Sequence, residues 1–435
     1  MLAAVPARSP AELVEQRARH VNPCLSLAYR EPLKIVRGSG AWLFDQHGQG
    51  YLDLVNNVCH VGHCHPRVVA AGQAQMAALN TNTRYLHDNL VEYALRLGAT
   101  LPSRLSVVFF TNSGTEANDL ALRLIRAHTR RSGIAVVDHA YHGHSPALVE
   151  ISPYKFNGSG GGGKPAHVEV AEMPDSYRGS CRDPALAGRH YARGVADAIG
   201  RLGAGSQGAG GFFCESLLGC GGQIVLPAGY LAPAYAAVRA TGGLCLADEV
   251  QVGFGRAGDA FWAFERQQVV PDIVTLGKPI ANGHPMGAVV TTPEIAASFA
   301  NGMEYFNTFG GNPVSCAIAL AVLTVIADEQ LQAQAQSVGE FLQAGLRELQ
   351  SRYEFIGDVR GCGLFLGVDI VAERAERSPD RARARALVEA MKARHVLLST
   401  DGPHDNVLKI KPPLVFSRDN ASEFLQKLES VLKRE

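Results

Sequence analysis

The chain has 435 residues, more than one hydrophobic core usually organises, so two domains are expected. Hydrophobic residues make up 46 % and charged residues 19 %, a balance that excludes a disordered chain. Lys plus Arg number 41, as do Asp plus Glu, and a net charge of zero gives nucleic acid or an anionic membrane no electrostatic hold.

No apolar stretch is long enough to span a bilayer. The first twenty residues lack a signal peptide's apolar run, and Glu12 and Glu15 argue against a transit peptide. Nine scattered cysteines read as reduced thiols, so the expected location is the cytoplasm.

In chain order, strand signals come first at 33–37 and 41–45. His60-Val61-Gly62-His63-Cys64-His65 then offers four soft-metal ligand types within six residues. Adjacent residues seldom converge on one ion and no second cluster completes a site. A packed segment is the expectation, with Pro66 opening the next helix. Residues 105–110 read as a strand and 116–130 as a helix with Leu120, Leu124 and Ala127 on one face. Short strands follow at 134–138, 211–215, 244–248 and 273–277, with helical character over 232–241. Strands alternating with helices predict an α/β fold, its mostly parallel sheet covered on both faces. The glycines of 157–163 mimic a dinucleotide fingerprint but follow no strand and open no helix, so they read as a surface loop. Residues 203–211 read as a similar linker. Beyond 325, one long amphipathic helix at 329–353 and an alternating strand at 364–369 belong to a second, smaller α+β domain. The expected division is 58–325 for the large domain, with 1–57 and 326–435 forming the small one.

Two of the apolar strands end in charge. Asp248 closes 244–248, and Lys278 follows 273–277, where a purely structural core would avoid ionisable groups. Ligands of open α/β sheets sit beyond the carboxyl ends of the parallel strands. A lysine and an aspartate delivered there point to pyridoxal 5'-phosphate, held by Lys278 as a Schiff base and paired at its ring nitrogen with Asp248. After the strand at 105–110 comes Thr111-Asn112-Ser113-Gly114-Thr115-Glu116. Ser113 and Glu116 have capping-box spacing, Gly114 permits close approach, and Ser113 and Thr115 add hydroxyls to a helix N-terminus that favours an anion. Tyr141, beside His142, is placed to cover a planar ring. Gln251, three residues past Asp248, is placed to reach the cofactor's phenolic oxygen.

The chain resembles the class-III aminotransferases of fold type I. The resemblance rests on Leu246-Ala247-Asp248-Glu249-Val250-Gln251-Val252-Gly253-Phe254-Gly255-Arg256, with Lys278 thirty residues past Asp248. It also rests on Ser113-Gly114-Thr115-Glu116-Ala117-Asn118 and Asn307-Thr308-Phe309-Gly310-Gly311-Asn312-Pro313. It runs from about residue 30 to the C-terminus and implies a large domain with a mostly parallel seven-stranded sheet. It assigns Lys278 as the Schiff-base lysine and Asp248 as the partner of the ring nitrogen. Tyr141 is assigned to the ring, Ser113, Gly114 and Thr115 to the phosphate, with His142, Glu215 and Gln251 completing the cofactor set. Thr308 would reach the cofactor phosphate of the neighbouring subunit, which implies a homodimer with shared active sites.

Within that family the chain is similar to phospho-lyases of ethanolamine phosphate and phosphohydroxylysine. The segments that carry this are residues 56–66, 80–89, Ile151-Ser152-Pro153-Tyr154-Lys155-Phe156 and 402–413. Many class-III aminotransferases place a carboxylate-binding arginine where this chain has Lys409, and a matching glutamate where it has Cys220. Lysine lacks the planar two-pronged contact arginine makes with a carboxylate, yet remains a good point charge for phosphate. The expectation is therefore elimination of phosphate and ammonia from a phosphorylated amine, with O-phosphoethanolamine giving acetaldehyde. Lys409 is the first candidate for the substrate phosphate, with Asn57, Arg84 and Arg30 behind it. The alternative is an ω-aminotransferase passing an amino group to a keto acid.

Overall fold

Seven strands form the central sheet, in the order Val107–Thr111, Gly287–Thr291, Ile273–Leu276, Leu244–Asp248, Ala209–Glu215, Gly133–Val137 and Val168–Ala171. The computed structural model describes residues 7–433. Gly287–Thr291 runs antiparallel to both its neighbours, and the remaining neighbouring pairs are parallel. Every residue of Gly133–Val137, Ala209–Glu215, Leu244–Asp248 and Ile273–Leu276 is buried. Parallel strands with helices on both faces require this continuous apolar run. Alternate residues feed opposite faces, as the two-residue period of a strand dictates. Ala135, Val137 and Phe212 pack with Tyr191, Val195 and Ile199 of helix Pro184–Ala204. Ile134, Val136 and Phe213 pack with Leu120, Leu124 and Ile125 of helix Gly114–Thr129.

Two four-stranded sheets flank this layer. One joins Ile35–Ser39, Trp42–Asp45 and Gly50–Asp53 to Val396–Leu397, so the beginning of the chain is tied to its last quarter through Leu52 and Asp53. The other has the order Ile356–Cys362, Phe365–Ile370, Val407–Ile410, Ser399–Asp401. The long helix expected at 329–353 is Leu331–Arg352. An apolar helix, Pro313–Asp328, precedes it at 59°, and Gln330 takes a left-handed φ of 52° at the break.

The histidine-rich segment is resolved by three separate contacts. His60 Nε2 lies 2.7 Å from the Phe254 carbonyl oxygen, His63 Nε2 2.7 Å from Asp53 Oδ2, and His65 Nε2 2.9 Å from Glu329 Oε1. Pro66 opens helix Pro66–Ala78. The glycines of 157–163 lie in an exposed loop.

Candidate active site

Strand register brings the charged residues together. Glu215 stands beside Asp248 in the sheet, Asp248 stands beside Thr275, and Lys278 follows three residues later. The carboxyl ends of these adjacent parallel strands therefore deliver two carboxylates and an amine to one place. Lys278 opens a short 3-10 turn, Lys278–Ala281, and holds φ at +25°, a region a non-glycine residue occupies only at a cost. Strain of this kind persists where the surrounding packing over-determines the backbone.

The anion end is the start of helix Gly114–Thr129. Ser113 caps it in extended conformation and accepts the Glu116 N–H at 3.1 Å. Several first-turn N–H groups of any helix lack an internal partner, so they and the dipole favour an anion. Gly114 is required for packing. A Cβ there would lie 2.7 Å from Cγ1 of Val250, inside van der Waals contact.

Asp248 is buried and held by three donors. His142 Nδ1 lies at 2.8 Å and Asn118 Nδ2 at 2.9 Å from Oδ2, and the Val250 N–H donates to Oδ1 at 3.1 Å. His142 Nε2 and Asn118 Oδ1 are buried without a partner. Glu215 accepts the N–H groups of Tyr141 at 3.2 Å and Gly219 at 3.0 Å. Burial pushes its carboxyl up, His142 opposes this and the Asp248 charge adds to it. Burial also holds the Lys278 amine below the ordinary lysine range, while Asp248, Cys220 and Glu215 pull it back up.

A cavity of about 130 Å³ occupies this point, and nine of the ten expected cofactor residues line it, all but Thr308. The donor set fits pyridoxal phosphate. The helix N-terminus suits its phosphate, the braced carboxylate its ring nitrogen, and the buried amine its aldehyde.

The residues expected to bind substrate divide. Asn57 is buried, and its Nδ2 lies 3.4 Å from Oε1 of Gln251. Lys409 is 24 % exposed on strand Val407–Ile410, where its Nζ pairs with Asp401 Oδ2 at 3.3 Å. Within one chain, none of Asn57, Lys409, Arg30, Arg84 and Thr308 lines the cavity itself, and only Asn57 touches a lining residue, Gln251. Arg30 is exposed, with its backbone N–H on Glu389. Arg84 reaches outward to Glu304 at 3.1 Å and to the Phe306 ring at 4.4 Å. Thr308 is exposed on the loop before Pro313. Their neighbours along the chain gave no indication of this distance.

Sequence reasoning missed two residues. Asn118 lines the cavity one helical turn after Gly114, an i, i+4 spacing that was available as a signal. Lys411 is only 1 % exposed, and its Nζ donates to Gln251 Oε1 at 3.2 Å. Its signal was the two-residue spacing from Lys409, which places alternate residues of an extended chain on one side. Burial pushes the Cys220 thiol up to about 12, with the Asp401 and Glu215 charges adding and both lysines opposing.

Comparison with known proteins agrees with this geometry. The model of the family described as Aminotransferase class-III matches residues 27–432. A Drosophila melanogaster protein named alanine–glyoxylate aminotransferase 2-like is 54 % identical over 424 residues, covering 96 % of this chain and 86 % of that protein. The Caenorhabditis elegans ethanolamine-phosphate phospho-lyase homolog 1 is 42 % identical over 439 residues, covering 98 % and 94 %. A solved phospholyase from Arthrobacter, in complex with phosphoethanolamine, matches with a TM-score of 0.93 at 42 % identity, over 97 % of this chain and all of that one. The chain belongs to the class-III aminotransferase family, with the fold type I architecture and pyridoxal phosphate as its cofactor.

Proposed function

We propose that the chain is a phospho-lyase that eliminates inorganic phosphate from a phosphorylated amino alcohol, O-phosphoethanolamine in the simplest case. One observation carries this reading. Lys409 stands at the position of the aminotransferase arginine, Cys220 replaces the matching glutamate, and among the described residues no arginine lines the cavity around Lys278. A planar carboxylate loses its two-pronged partner, while ammonium groups suit a phosphate. The likeness to an Arthrobacter phospholyase in complex with phosphoethanolamine supports the same reading.

Bound in this cavity, pyridoxal phosphate supplies an aldehyde for the substrate amine and a ring that delocalises charge from the adjacent carbon. Ser113, Gly114 and Thr115 would hold its phosphate, Asp248 its ring nitrogen, Tyr141 its ring and Gln251 its phenolic oxygen, all of them residues that line the cavity. Lys278, whose amine burial holds below the ordinary lysine range, accepts the proton from the carbon that bears the substrate nitrogen. The C–O bond on the next carbon then breaks and phosphate leaves with the electron pair. Ammonium groups of the 409–411 segment offset its charge as it forms. The organic fragment departs as an enamine, which tautomerises and hydrolyses to acetaldehyde and ammonia.

An aminotransferase is the second reading. It is favoured by the name of the Drosophila relative and by Lys278, which takes the same proton in both reactions. Incubating the holoenzyme with O-phosphoethanolamine and no keto acid separates the two. Equal amounts of phosphate and acetaldehyde are expected. Turnover that requires pyruvate or 2-oxoglutarate and releases no phosphate would exclude the lyase.

The working unit in this reading is a homodimer. Tyr85, Leu86, Met303, Phe306 and Phe309 are exposed on two loops joined by the Arg84–Glu304 pair. An apolar face of this kind is what a subunit interface covers. Thr308 lies within it. A chain that sediments as a monomer at micromolar concentration would remove Thr308 from the site.

A further inference from the structure

Among the described residues, Lys411 is a buried lysine without a counter-ion. Its ammonium donates to the Gln251 amide oxygen at 3.2 Å and lies 4.6 Å from the centre of the Phe365 ring. Among the described residues, no carboxylate reaches salt-bridge distance of it. The charged and titratable groups that act on it are Lys409, Asp401, Cys220 and Glu215. Asp401 is already paired with Lys409, and Cys220 stays a neutral thiol because burial pushes it up to about 12. Glu215 is engaged by the N–H groups of Tyr141 and Gly219. The surroundings of Lys411 are therefore short of negative charge.

Removing an ammonium from water is costly unless an opposite charge meets it. Arg360, also largely buried, shows the usual solution, with Asp358 at 2.9 Å and Asp369 at 3.2 Å. Lys411 has no such partner, yet the acceptor it touches, Gln251, lines the cofactor cavity.

We infer that Lys411 is the anchor of a phosphate-monoester pocket beside the cofactor cavity, where the substrate's phosphoryl group supplies the missing counter-charge. The identity of the substrate rests on the phospho-lyase reading. The preference for a compact dianion rests on Lys411 itself. A lysine offers a point charge rather than a planar fork, and a dianion attracts it about twice as strongly as a carboxylate at equal distance. Lys409, whose charge Asp401 already offsets, takes the lesser part. Inorganic phosphate, the other product, competes for the same pocket.

The pocket has a pH signature. Burial, and next the Lys409 charge, bring Lys411 down to about 7 in the ligand-free protein. An anion binds the protonated form, so affinity is full below pH 7 and falls as pH rises above it. The fall approaches about tenfold per pH unit, the slope of one linked proton.

Sulfate, a dianion that does not titrate near neutrality, is the probe. It is titrated calorimetrically into the holoenzyme, whose cofactor phosphate already occupies the helix N-terminus. Wild type is expected to show the fall above pH 7. Lys411→Met is expected to weaken sulfate on the order of ten- to a hundredfold. Lys411→Arg, charged at every pH used, should bind sulfate at pH 8.5 as it does at 6.5. Without sulfate, Lys411→Met should melt no lower than wild type, because a buried charge has been removed. Wild-type sulfate affinity in Lys411→Met, or wild-type affinity independent of pH from 6 to 9, would overturn the inference. The lyase reading fails separately, if sulfate binds through Lys411 but O-phosphoethanolamine releases no phosphate.

Discussion

His142 donates from Nδ1 to Oδ2 of Asp248 across 2.8 Å, and Asn118 reaches the same oxygen from a different element at 2.9 Å. A carboxylate oxygen accepts, so Nδ1 is the donor in this contact, and Nε2 is buried without a partner. Two donors on one oxygen fix where the carboxylate sits. Replacing His142 by Phe, or Asn118 by Ala, removes one charge-assisted hydrogen bond and should lower kcat on the order of ten- to a hundredfold. Because the two share an acceptor, the double variant should differ from the sum of the singles. Steady-state kinetics decides, and a wild-type kcat in His142→Phe would free Asp248 from this dependence.

Lys278 combines a covalent hold with proton transfer in the proposed reaction. Lys278→Ala should lose roughly 10⁴-fold or more in turnover. Borohydride reduction followed by denaturation should leave cofactor fluorescence on the wild-type chain and none on the variant. Persistent turnover, or label at another lysine, would reassign the role.

Gly114 and Val250 are packed so closely that a single methyl group is felt. Gly114→Ala places Cβ 2.7 Å from Val250 Cγ1. Overpacking of this kind should weaken pyridoxal phosphate binding about ten- to a hundredfold. Adding Val250→Ala should restore part of the affinity. Fluorescence titration of cofactor into apoenzyme measures both, and an unimproved double variant would locate the damage elsewhere.

His60 gives the fold an acid limb. Burial, and next the Arg256 charge, bring its imidazole down from 6.5 to about 3. The unfolded chain takes up a proton below pH 6.5 that the folded chain refuses until about 3. This stability is therefore present above 6.5 and lost as pH falls through that window, at most about 1.4 kcal/mol per pH unit. His60→Gln keeps an acceptor for Arg256 and a donor for the Phe254 carbonyl without titrating. Urea unfolding at pH 7.5, 6 and 5 should show a shallower decline for the variant. Parallel declines would assign the acid limb to other groups.

Short apolar runs ending in charge were enough to single out Lys278 and Asp248, because a parallel strand buried on both faces tolerates an ionisable side chain only at its end. A capping pattern with a glycine was enough for Ser113, Gly114 and Thr115, since helix N-termini obey local rules. All five line one cavity. Strand order was not legible. The antiparallel strand Gly287–Thr291 sits between Val107–Thr111 and Ile273–Leu276, and its pairing joins segments far apart in the chain. Arg30 and Arg84 were cations near resembling motifs, and nothing local records that they face outward.

Lys409 and Lys411 draw the line most sharply. Both are legible as lysines ahead of Pro412. That one is offset by Asp401 and the other is left beside Gln251, 160 residues away, is decided only when the strands Ser399–Asp401 and Val407–Ile410 pair and the two parts of the chain close on each other. Local chemistry is written residue by residue, whereas the fate of a charge depends on what packing brings to it.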